Sequence, residues 1–202
     1  MIKVTKQAFF NPFVGSNYHK GISGKRILVL GASFYCPKTE CSFFSRCTNT
    51  TIKDSSPYDR ICPVYSANGI CLHDEPANSI ENWYPTYQTF AKGLEQFVGY
   101  ADYDNIWSHL AFTNYVQFFL PSNGDSFRTT KSSDLSERDF EALIEVVKEL
   151  SPDIVIVWGC VINTSVKENN QYVFDKDKLK QNEDYLCHMR VPGGNHDVAI
   201  VN

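Results

Sequence analysis

Four short apolar runs, separated by amphipathic segments, constrain this chain more than any other feature. They are Ile27-Leu28-Val29-Leu30, stopped by Gly31; Leu110-Ala111-Phe112, leading into Thr113-Asn114-Tyr115-Val116; Ile154-Val155-Ile156-Val157-Trp158, ended by Gly159; and Val198-Ala199-Ile200-Val201. Unbroken rather than alternating apolar character belongs to strands covered on both faces, as in a parallel sheet. The runs predict strands over 26–31, 109–116, 153–159 and 197–202.

Two segments have the periodicity to supply the cover. Tyr87, Phe90, Ala91, Leu94, Phe97 and Val98 recur at helical spacing and predict a helix over 86–99. Ser136 with Asp139 three residues on resembles a capping box, and Phe140, Leu143, Ile144, Val147 and Leu150 form the stripe of a second helix over 137–150. Ser151-Pro152 ends it just before the third strand. The alternation predicts an α/β fold, a three-layer sandwich with a four-stranded, mainly parallel sheet flanked by helices. At 202 residues without linker or repeat, residues 1–202 read as a single domain.

Two stretches interrupt the alternation. Residues 36–85 hold five of the seven cysteines and five prolines, and read as a long, partly irregular, cysteine-rich insertion. Residues 161–196 carry Tyr172-Val173-Phe174 and the segment Tyr185 to Val191 around a polar middle, which predicts a hairpin before the last strand.

Charge is distributed unevenly. The net charge is −4, yet residues 1–60 alone carry +6 and the other 142 residues −10. A basic segment of this kind suits a phosphate backbone as partner, and equally a solvated face with no partner. No apolar run reaches the roughly 18–20 residues that span a bilayer, and Met1 to Lys6 lead into no signal-peptide core, so no membrane role and a cytoplasmic location are expected.

The order of these elements resembles the uracil-DNA glycosylase superfamily, of which this chain would be a divergent member. The resemblance is carried by Gly31-Ala32-Ser33-Phe34-Tyr35-Cys36 after the first strand, by Ala111-Phe112-Thr113-Asn114 on the second, and by Val155-Ile156-Val157-Trp158-Gly159 at the third. It implies a site at the carboxyl ends of the strands, a glycine-led loop there, and an extruded base read by an asparagine. Asn114 takes that part: a side-chain amide sets a donor beside an acceptor and matches a carbonyl and ring N–H of uracil. The alternative is an Asn that closes a strand end through local backbone bonds.

By the same resemblance Gly31, Phe34 and Tyr35 would line the substrate pocket, Tyr35 rejecting a thymine methyl group and Phe34 or Phe43 stacking on a base; these aromatics also suit packing under a loop. Where fast members of the family carry an acidic residue to position water and offset the cationic sugar, this chain has Ala32 and Ser33. Ser33 can hydrogen-bond a water but supplies no negative charge. The family's catalytic histidine follows the fourth strand; within this sequence His188, on the expected hairpin, is the candidate, a surface or packed histidine being the alternative.

The cysteines run Cys36, Cys41, Cys47, Cys62 and Cys71, with Cys160 and Cys187 remote. No Cys-x2-Cys pair occurs, which removes the zinc-ribbon pattern. Some glycosylases of the superfamily hold an iron–sulfur cluster near the first loop, and four thiolates from these five would staple the insertion around such a cluster or a zinc ion; small buried hydrophobes are the other reading.

Two functional classes follow. One is a glycosylase that extrudes a base, reads it with Asn114 and hydrolyses its N-glycosidic bond slowly, on DNA held by the 1–60 segment. The other is a non-catalytic nucleobase or nucleic-acid binding module on the same fold. An α/β hydrolase with Ser33 as nucleophile lacks the Gly-x-Ser-x-Gly elbow.

Overall fold

The central strands are short because each is bounded by a turn-forming residue and is apolar on both faces in between. In the computed structural model, which describes residues 11–36, 85–98, 103–117, 119–121, 130–169, 186–191 and 197–201, the chain runs β1 (Phe13–Val14), β2 (Ile27–Gly31), β3 (Phe34–Cys36), α1 (Pro85–Val98), a 3-10 helix (Tyr103–His109), β4 (Leu110–Asn114), β5 (Phe119–Pro121), a 3-10 turn (Ser132–Asp134), α2 (Glu137–Leu150), β6 (Ile154–Val157), α3 (Cys160–Asn169), β7 (Leu186–Arg190) and β8 (Asp197–Val201).

The main sheet is six-stranded and mixed, in the order β1-β4-β2-β6-β8-β7, rather than four-stranded. Strands β4, β2, β6 and β8 are parallel neighbours. The two additions are antiparallel edges, the two-residue β1 against β4 and β7 against β8. Strands β3 and β5 form a separate parallel pair.

Side chains alternate across the main sheet, and each face has its own core. Leu28, Leu30, Val155, Val157, Val198 and Ile200 pack against α2 and α3. Ile27, Val29, Leu110 and Phe112 pack with α1 and the Tyr103–His109 helix. Burial of each such side chain stabilises the fold by about 1.5–3 kcal/mol.

Local chemistry sets the helix ends. At the start of α2, Oδ2 of Asp139 accepts from the backbone N–H of Ser136 at 2.7 Å and from its hydroxyl at 2.9 Å. At its end Ser151 adopts φ 47°, donates to the Val147 carbonyl and hands the chain to Pro152. That φ is the left-handed region, uncommon for a residue with a side chain, and it lets Asp153 turn directly into β6.

Two expectations need correction. The segment after β6 begins not with a hairpin but with α3, whose buried apolar residues are the i, i+4 pair Ile162 and Val166; β7 then pairs with β8. Tyr172-Val173-Phe174 lie outside the described residues. In α1, Tyr87, Phe90, Leu94 and Val98 pack on the sheet, but Phe97 is 91% exposed, off the edge of that stripe.

Candidate functional site

Parallel strands leave their carboxyl ends open to a crevice, because successive crossovers depart from there to opposite faces. At that end Gly31 and Asn114 are register partners on β2 and β4. The pairing continues past both strands: Tyr115 N–H donates to the Gly31 carbonyl and Val116 N–H to that of Ala32, each at 2.9 Å. Leu110, Phe112 and Asn114 alternate onto the face that α1 covers. Asn114 thus sits at the top of an apolar column, directly above Phe112.

Gly31 is a glycine for a packing reason. A Cβ there would collide with Oδ1 of Asn114 and would stand 2.9 Å from Cζ of Phe112. Asn114 is 4% exposed, and no hydrogen bond among the described residues uses its side-chain amide. Its carbonyl is engaged: Nε2 of Gln117 donates to it at 2.7 Å.

Below the amide lies a group of aromatic rings that links α1 to the sheet. The Tyr87 ring meets Phe112 edge-on at 5.3 Å between centroids, Trp107 at 5.6 Å and Trp158 at 6.3 Å. Phe90 lies tilted against Trp158 at 5.0 Å and Trp107 at 5.4 Å. Indole Nε1 of Trp107 donates to the Tyr87 carbonyl at 3.4 Å. From the sequence Tyr87 and Phe90 read only as part of a helix stripe and Trp158 only as the end of an apolar strand. Period-two alternation in Ile154, Ile156 and Trp158, in step with Leu110, Phe112 and Asn114, was the signal that places them on one face.

Ser33 lies in the two-residue link between β2 and β3, and its hydroxyl shares a hydrogen bond with that of Thr130 at 2.9 Å. The expected six-residue loop is therefore shorter: the backbone of Phe34, Tyr35 and Cys36 forms β3, paired with Phe119–Pro121. Gly31, Ser33 and Asn114 come together at the carboxyl end.

His188 does not join them, which corrects its assignment to the same site. It pairs with Ala199, Ala199 with Ile154, and Ile154 with Ile27, so its register is that of the first residue of β2, not the last. It also stands on the far edge strand. Three strand spacings and four residues along the strand separate it from Gly31 by roughly 20 Å.

Of the basic residues in 1–60, Lys20, Lys25 and Arg26 are among the described residues, and all precede β2, at the opposite end from Asn114. Arg26 is tied to Asp153, whose Oδ2 accepts from the Arg26 backbone N–H at 2.8 Å and lies 3.6 Å from Nε. Of the five clustered cysteines Cys36 is the end of β3, and Cys41, Cys47, Cys62 and Cys71 lie outside the described residues. Among the described residues no group of three metal-ligating side chains assembles, Cys160 is an exposed free thiol, and no helix is long and apolar enough to cross a membrane.

Beneath the site, on the other face of the sheet, a buried polar network ties the turn after β4 to α2 and α3. The Gln117 backbone N–H donates to Oδ1 of Asp139 at 2.9 Å, and the Tyr115 hydroxyl shares a hydrogen bond with that of Ser165 at 3.1 Å. Burial pushes the Asp139 carboxyl above the usual carboxylate range, against the opposing pull of the bonds from Gln117 and Ser136. Burial likewise raises the Tyr115 phenol, keeping it neutral. The chain matches no protein-family model, no curated protein and no solved structure.

Proposed function

We propose that this protein binds an extruded nucleobase as a divergent, uracil-DNA-glycosylase-like module, with Asn114 reading the base. The observation that carries the reading is the Asn114 amide: almost wholly buried at the strand ends, above aromatic rings, and with no hydrogen bond to its side chain among the described residues. A ligand with a carbonyl beside a ring N–H matches the donor and the acceptor of that amide.

Binding is favoured over turnover. The link after β2 offers Ala32 and Ser33 where a carboxylate would offset positive charge on the sugar; loss of one preorganised charge-stabilising group typically costs about 2.7–4 kcal/mol of transition-state stabilisation. Ser33 is also a poor nucleophile here, since its hydroxyl is paired with Thr130 and His188 stands at the other end of the sheet. DNA is the proposed partner because the charge of residues 1–60 suits a phosphate backbone, and the affinity then falls steeply with added salt.

The test compares binding of the native chain to a single strand carrying one deoxyuridine and to the same strand with thymidine, then repeats it with Asn114→Ala. The expected result is a preference for uracil that the variant loses. Equal binding in all cases removes Asn114 as a base reader. Release of free base by the native chain would replace the binding module with a slow glycosylase.

A further inference from the structure

Asn114 is the last residue of β4, and its backbone carbonyl reaches the end of the sheet on the side away from β2. Because Tyr115 N–H faces β2, the peptide groups of Asn114 face the other way, toward β1. Strand β1, however, pairs only with Ala111 and Phe112 and ends there. The place of the missing strand is taken by the Gln117 side chain, 2% exposed, whose Nε2 donates to the Asn114 carbonyl at 2.7 Å and to that of Tyr115 at 3.4 Å. Gln117 is itself held, through its backbone N–H, by Oδ1 of Asp139 in the first turn of α2.

We propose that Gln117 is a positioning residue for the Asn114 amide, and that Asp139 anchors it, so that the cap of α2 and the base-reading group move as one unit. The functional part of this inference rests on the nucleobase reading; the structural part does not. Donation to the Asn114 carbonyl is the second hold on the peptide plane that follows its Cα, whose other end the Tyr115 N–H ties to the Gly31 carbonyl, and the two together set the direction in which the side chain leaves the strand. Oδ1 then occupies the space left by the missing side chain of Gly31. Without the Gln117 donor, that peptide plane keeps only its Tyr115–Gly31 bond, and the bearing of the amide over Phe112 loosens.

The experiment uses the full chain with Gln117→Met, which keeps length and volume and removes the donor. Two signals are read: the side-chain NH2 resonances of Asn114, identified by their loss in Asn114→Ala, and the affinity ratio between a single strand with one deoxyuridine and the same strand with an abasic site. We expect the Asn114 NH2 pair to shift and broaden, and the ratio to fall about three- to tenfold, the range for one lost hydrogen bond. A lowered melting temperature with unchanged Asn114 resonances would make Gln117 merely structural and overturn the proposal. If the native chain shows no preference for uracil, the nucleobase reading fails, and the Asn114 resonances alone decide the positioning role. Should Gln117→Met not fold, Gln117→Glu, equal in length and lacking the donor at neutral pH, carries the same two readouts.

Discussion

Gly31 and Asn114 lie side by side at the ends of two parallel strands, and Oδ1 of Asn114 fills the space that a side chain on Gly31 would need. The backbone of β2 thus forms one wall of the site. Neither neighbour can yield cheaply, because Phe112 beneath them is 3% exposed and its ring lies 2.9 Å from the same point.

Gly31→Ala is accordingly expected to displace the Asn114 amide and to destabilise the fold by about 1–3 kcal/mol, the usual cost of overpacking a core. Base preference should vanish along with it. Chemical denaturation and strand binding measured on the same preparation check both effects.

The aromatic group supports a second expectation. Tyr87 makes edge contacts with Phe112, Trp107 and Trp158, each worth about 0.5–1.5 kcal/mol beyond burial. Tyr87→Leu should cost about 1–3 kcal/mol in urea unfolding, non-additivity allowed for. The emission of Trp107 and Trp158 should change in the folded state, since both indoles lose a neighbouring ring.

Two carboxyls predict opposite dependences on pH. Asp139, raised by burial, binds its proton more tightly in the folded than in the unfolded chain. Its contribution is complete below the unfolded value and is lost as pH rises through the folded one. For Asp153 a burial penalty is outweighed by the Arg26 backbone N–H and guanidinium, which hold it below the usual range; its contribution is present above the unfolded value and is lost as pH falls through the folded one. Asp139→Asn should flatten the first dependence while losing about 1–3 kcal/mol, since its NH2 cannot accept from Ser136. Asp153→Asn should remove the second at a cost of about 1 kcal/mol or less, as befits a partly exposed pair. Unfolding free energies from about pH 3 to 8 check both.

The four apolar runs and the capping box at Ser136 and Asp139 were legible because burial on both faces and a helix start each demand particular residue types at particular spacing. What escaped was whatever depends on pairing. The two-residue β1 and the short β3 and β5 are too brief to carry a pattern of their own. Helix α3 shows so little apolar periodicity that only packing of Ile162 and Val166 against the sheet reveals its buried side. Within the site, Asn114 and Gly31 were legible as a strand end and a strand stop. The removal of His188 was not, since a histidine on an edge strand has no fixed place until its register is known.

On the proposed reading the Asn114 amide contacts a base directly. The most direct measurement titrates the full chain with a deoxyuridine-containing single strand while following the Asn114 side-chain NH2 resonances, with an abasic strand as control. These resonances are expected to move with the uracil strand and not with the abasic one. If the strand binds and other resonances respond while those of the Asn114 amide stay in place, Asn114 does not read the base.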